Sequence, residues 1–143
     1  MTVPARMGIV TLGVSDLARS IAFYEALGWE RCASSVEGVI CWFRTADAYL
    51  GLFPYEELAG DAAVASPRRG KFDGITLAIN METAAEVGAA LEAAAAAGAS
   101  ILKPATDLGF AISGYFADPD GYPWEVAHNP AFPLDERGRL TIP

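Results

Sequence analysis

The chain has 143 residues, 52% of them hydrophobic, and 10 basic against 18 acidic residues give a formal net charge of −8. That length suits one domain, because about 150 residues bury enough surface to fold without disulfides or metals as staples. The charge repels phosphate backbones and anionic membranes, which argues against nucleic acid or a membrane surface as partner. It favours cationic or amphiphilic ligands, although such a charge also serves solubility alone.

Met1 to Met7 lacks an apolar stretch of signal length and no later run is long enough to span a bilayer, so a cytoplasmic location is expected. Ile9 to Val14 alternates large apolar residues (Val10, Leu12, Val14) with a mixed set (Ile9, Thr11, Gly13), as in a strand with one buried face. Ser15-Asp16 offers N-cap chemistry, Leu17, Ile21 and Tyr24 share a helical face, and Leu27-Gly28 offers a C-terminal stop. Short β-prone pieces follow at Trp29 to Ser34, Val39 to Arg44 and Ala48 to Phe53. Cys32 and Cys41 show no CxxC or Cys/His spacing and are expected to be reduced core thiols. Pro54 to Lys71, with prolines, small residues and Arg68-Arg69, shows no sustained periodicity and is expected to be a connector.

The same order then recurs. Ile75, Leu77 and Ile79 form a large set against Gly74, Thr76 and Ala78, so that Val10 aligns with Ile75. Thr83 to Glu86 is a capping box, Val87 and Leu91 point inward along an alanine-rich helix, and Gly98 terminates it as Gly28 did before. Strands are expected at Ala99 to Leu102, Ala111 to Ala117 and Trp124 to Ala127, with Asp118-Pro119-Asp120-Gly121 as the turn between the last two. The sequence therefore reads as an internal duplication of a β-α-β-β-β unit. Module one covers about residues 7–54, the connector 55–71, module two 72–128, and an irregular tail 129–143.

Val14-Ser15-Asp16-Leu17 leading to Phe23-Tyr24-Glu25-Ala26-Leu27-Gly28, and Tyr115 to Gly121 followed by Trp124-Glu125-Val126, resemble the vicinal oxygen chelate superfamily. That superfamily includes glyoxalase I, extradiol dioxygenases and bleomycin-resistance proteins. The resemblance implies an α+β fold of two tandem βαβββ modules whose curved mixed sheets enclose a cleft. It also implies four metal-ligand positions, which fall here at Ile9, Gly51, Gly74 and Glu125. Only Glu125 carries a donor, and a one-residue slip, placing Val10 and Ile75 there instead, restores none. His128, the single histidine, has strand parity opposite to Glu125 and reads as a strand-end or surface residue. No metal and no cofactor are expected.

By strand alternation Ile9, Thr11, Tyr49, Gly51, Phe53, Gly74, Thr76 and Glu125 are expected to line the ligand cleft. An aromatic wall comes from Trp42 or Phe43, whose facing the sequence leaves open. The expected function is binding of a small organic molecule, of sequestration or resistance type. The alternatives are a lyase, isomerase or dioxygenase-like enzyme of the same superfamily using Glu125 as general acid or base or as a residual metal ligand, and an interaction module with no small ligand. The resemblance further implies a homodimer.

Overall fold

The computed structural model describes residues 1–3, 5–65 and 69–143. Pro4 and residues 66–68, including the Arg68 of the connector's arginine pair, lie outside the described residues. The chain divides into two compact units, Met1–Pro67 and Arg68–Pro143.

Unit one runs β1 (Ile9–Val14), α1 (Leu17–Ala26), β2 (Cys41–Arg44), β3 (Tyr49–Pro54) and α2 (Tyr55–Asp61). Its sheet has the order β1-β3-β2, with β1 parallel to β3 and β2 antiparallel to it. The alternation in β1 works as the period of a strand requires. Leu12 and Val14 are buried with Leu50, Leu52, Cys41 and Phe43, and α1 covers them with Phe23 and Tyr24, whose ring lies 5.8 Å from that of Phe43. Asp16 caps the helix by accepting the Arg19 N–H at 3.0 Å, and Gly28 ends it at a positive φ of 86°.

Unit two runs β4 (Leu77–Asn80), α3 (Ala84–Ala96), β5 (Ser100–Asp107), β6 (Ile112–Ala117) and β7 (Pro123–His128), in the sheet order β4-β7-β6-β5. The first strand again lies parallel to the last and the others run antiparallel. Glu86 accepts the Thr83 N–H at 2.8 Å at the start of α3. Val87, Leu91 and Ala94 bury themselves on Phe116, Trp124 and Val126. Gly114 lets Leu91 reach the sheet, since a Cβ there would lie 2.5 Å from the leucine Cδ1. The Asp118 turn closes through the Gly121 N–H to the Asp118 carbonyl at 2.9 Å, and the buried Asp118 carboxylate accepts the N–H groups of Asp120 and Tyr122.

The duplicated βαβββ modules of an α+β fold are thus present, with four departures from the sequence reading. Trp29 to Ser34 forms no strand; it contributes one bridge, Arg31 to Phe43, at the place β5 holds in the second sheet. The connector is not irregular throughout, because Tyr55–Asp61 is helical, with Glu56 and Glu57 favourably placed in its first turn. Strand β5 extends to Asp107 through two irregularities between Ile101 and Thr106, tolerated because an edge strand can accept Pro104. The tail folds locally, with a Leu134–Leu140 bridge and Asp135 accepting the N–H groups of Arg137 and Arg139. Hydrogen bonding by these groups and the adjacent Arg139 guanidinium holds the Asp135 carboxyl below the usual carboxylate range.

Candidate functional site

In the first sheet, residues directly opposite one another across a ladder share a face. Ile9 stands opposite Tyr49, Thr11 opposite Gly51, and Trp42 opposite Gly51. Ile9, Thr11, Trp42, Tyr49, Gly51 and Phe53 therefore occupy the side turned away from α1. The register fixes which way the two aromatic rings of β2 face. Trp42 lies on the open face, while Phe43, fully buried, belongs to the core under Tyr24.

That face is apolar and accessible, with Ile9 53% and Tyr49 37% exposed. Helix α2 closes one end of it. Tyr55 and Leu58 pack on Gly13, where an added Cβ would lie 2.8 Å from Tyr55 Cδ2. The absence of a side chain at Gly13 is what admits the helix, a device the sequence reading missed. Beside Trp42, Gly51 is crowded by its neighbour: a Cβ there would lie 2.9 Å from Thr11 Oγ1 and 3.4 Å from Thr11 Cβ. The Thr11 hydroxyl thus fills the space into which a side chain at position 51 would project.

In the second sheet Glu125 stands opposite Ala78 on one side and Tyr115 on the other. Its face is the one turned away from α3, shared with Ser113. The Ser113 hydroxyl donates to Glu125 Oε1 at 2.8 Å. Burial pushes the Tyr115 hydroxyl above its ordinary pKa, and the nearby Glu125 charge, which also accepts from it, pushes it further. Thr76 and Gly74 lie ahead of β4, and Gly74 has φ +77°, so the alternation does not extend back to it. His128 ends β7 on the opposite face, its Nδ1 3.1 Å from the Met81 carbonyl. Among the described residues no group of three or more His, Cys, Asp and Glu side chains converges.

A separate pocket of about 250 Å³ in unit one is lined by residues including Ile21, Arg31, Cys32, Ser35 and Cys41. Its cation is already engaged, as Arg31 pairs with Glu25 at 3.2 Å and Glu37 at 3.7 Å. Burial raises the Cys41 thiol pKa, an effect the Ser35 hydroxyl opposes, so Cys41 is a protonated core group there.

The model of the Glyoxalase/Bleomycin resistance protein/Dioxygenase superfamily matches residues 6–126. The chain belongs to this superfamily. It is 32% identical to a solved structure of a glyoxalase-related enzyme from Fulvimarina pelagi, covering 97% of this chain and 99% of that one with a TM-score of 0.86. A family enzyme from Burkholderia phytofirmans PsJN is 21% identical over 87% of this chain and 99% of its own, with a TM-score of 0.76. Lactoylglutathione lyase from Agrobacterium tumefaciens is 24% identical over 87% of this chain and 94% of its own, with a TM-score of 0.66. These two show the shared fold. No curated protein matches the chain. Among the described residues, no helix is long and apolar enough to cross a membrane.

Proposed function

We propose that this superfamily member binds a small organic molecule on the open face of its first module without a metal, as a sequestration or resistance protein. The observation that carries this reading is the composition of that face. Ile9, Trp42, Tyr49 and Phe53 surround Gly51, and the polar groups among the expected lining residues there are the hydroxyls of Thr11 and Tyr49 and the indole N–H of Trp42. Apolar surface with a few fixed polar groups suits an organic ligand.

The donor set does not fit a divalent metal. Ile9 has no donor atom, Gly51 and Gly74 have no side chain, and the Glu125 carboxylate is already hydrogen-bonded by Ser113. One carboxylate does not compensate the dehydration of such an ion.

A second reading is favoured by the surroundings of Glu125. Half-buried and flanked by two hydroxyls, it is placed to act as a general acid or base. Its relative from Fulvimarina pelagi is described as an enzyme. The reading also includes a cytoplasmic homodimer. Exposed Ile101 and Leu102 on edge strand β5, with Leu108 and Phe110 just after it, offer apolar surface for a second copy.

The test is thermal unfolding of chelator-treated protein against a panel of small aromatic and aliphatic organics, with and without divalent metals. A ligand at 100 times its Kd stabilises by about 2.7 kcal/mol. Stabilisation by an organic compound without metal is expected. Stabilisation that requires added metal refutes the metal-free reading, and turnover abolished by Glu125→Gln favours the enzyme.

A further inference from the structure

In a chain of net charge −8, three arginines have carboxylate partners close by. Arg31 pairs with Glu25 and Glu37, Arg69 with Asp73, and Arg139 with Asp135. Arg44 differs. Among the described residues no carboxylate pairs with it. Its side-chain partner is a phenol, with Nη1 donating to Tyr49 Oη at 3.0 Å and the guanidinium carbon 5.5 Å from the Tyr49 ring centroid.

Arg44 lies directly across the ladder from Tyr49, and Tyr49 directly across from Ile9. All three share the open face with Trp42, two residues before Arg44 on β2. The guanidinium has five N–H donors in a planar fork, one of them engaged by Tyr49, and the phenol that accepts it keeps its own proton to donate. Both residues are exposed, so these donors are met by water when no ligand is present.

We infer that Arg44 and Tyr49 form an oxyanion subsite at the edge of the open face, and that the ligand is an organic carboxylate whose apolar body rests on Trp42 and Ile9. The inference rests on the first-module face being the ligand face, and it deepens that reading by naming the ligand's charge. A guanidinium fork matches the two oxygens of a carboxylate, and the neutral phenol holds the fork in place without neutralising it. The overall acidity of the chain would steer cations toward it, yet this face carries a cation without a counter-charge. Local complementarity decides orientation at contact distance, since exposed charges farther off are screened beyond about 8 to 10 Å.

The experiment compares phenylacetate with its uncharged isostere phenylacetamide by two-dimensional amide and indole NMR titration of the metal-free protein. It uses the wild type and the variants Arg44→Gln, Arg44→Lys and Tyr49→Phe, whose thermal unfolding reports on folding. The wild type is expected to bind the carboxylate at least tenfold more tightly than the amide, with the Trp42 indole signal shifting for both. Arg44→Gln is expected to abolish that preference by weakening carboxylate binding more than amide binding, Arg44→Lys to recover part of it, and Tyr49→Phe to weaken it. If both probes shift Trp42 equally in the wild type, or the preference survives Arg44→Gln, the oxyanion subsite is wrong while the ligand face stands. If neither probe shifts Trp42, the assignment of the ligand face fails and this inference fails with it.

Discussion

Gly51 gives the sharpest test of how the open face is built. Replacing it with alanine places a Cβ 2.9 Å from Thr11 Oγ1 and 3.4 Å from both Thr11 Cβ and Cγ2. The clash cannot be relieved cheaply, because threonine is branched at Cβ and rotation about χ1 brings its methyl toward the same space. A displaced rotamer costs about 0.5–1.5 kcal/mol, and overpacking a site generally costs about 1–3 kcal/mol. Against this, alanine in a strand is favoured over glycine by about 0.5–1 kcal/mol of chain entropy. Gly51→Ala is therefore expected to destabilise by about 1 kcal/mol. In a Thr11→Ala background the obstruction is gone, and the same change is expected to be neutral or to stabilise by up to about 0.5–1 kcal/mol. Urea unfolding of the four proteins of this double-mutant cycle, followed by tryptophan fluorescence, measures the coupling between the two positions. An equal cost in both backgrounds, or stabilisation in the wild type, refutes the view that the Thr11 hydroxyl occupies the place of a side chain at position 51.

Gly114→Ala is expected to cost more than Gly51→Ala, about 2–3 kcal/mol by urea unfolding. Its Cβ meets the Lys103 carbonyl at 2.9 Å as well as Leu91 Cδ1 at 2.5 Å, and backbone does not yield as a side-chain tip does. Glu125→Gln is expected to lower the Tyr115 pKa without restoring the ordinary tyrosine value, because burial, the largest cause, remains. Tyrosine-selective carbon NMR over an alkaline titration reads this directly, and an unchanged pKa would remove Glu125 from contact with Tyr115. The sign for stability follows from the raised pKa. The Tyr115 contribution is fully present below the unfolded tyrosine pKa of about 10 and is lost as pH rises through the folded value, with a smaller loss that is complete at a lower pH in Glu125→Gln.

The parts of the fold legible in the sequence were those where one period dominates. Val10, Leu12 and Val14 alternate cleanly because α1 covers their face while the other is covered only at Gly13, and Asp16, Gly28, Thr83 and Gly98 mark helix ends by chemistry that acts locally. The alternation misled at Gly74, because it continued past the physical start of β4 into a left-handed bend that only glycine enters freely. Strand β5 was truncated in the reading because Pro104 and two register shifts erase its period. Helix α2 spans only 7 residues, too few for a periodic signal, though Pro54 followed by Tyr55, Glu56, Glu57 and Leu58 carried the right end chemistry.

The candidate site divides along the same line. Ile9, Thr11, Tyr49, Gly51 and Phe53 fall on one face because alternation within β1 and β3 is enough to place them. Trp42 needed more, since Cys41, Trp42 and Phe43 are all suited to burial and nothing within β2 says which side is covered. The register does: pairing Trp42 with Gly51 puts the indole beside a residue with no side chain, and pairing Phe43 with Leu50 puts its ring under α1. Arg44 was invisible for a related reason, because a charge at a strand end reads as a solvated terminus. What marks it is the phenol that faces it across the ladder and accepts its Nη1–H. That pairing is a property of the assembled sheet and of no single stretch of sequence, so the proposed oxyanion subsite rests on the register of β2 against β3.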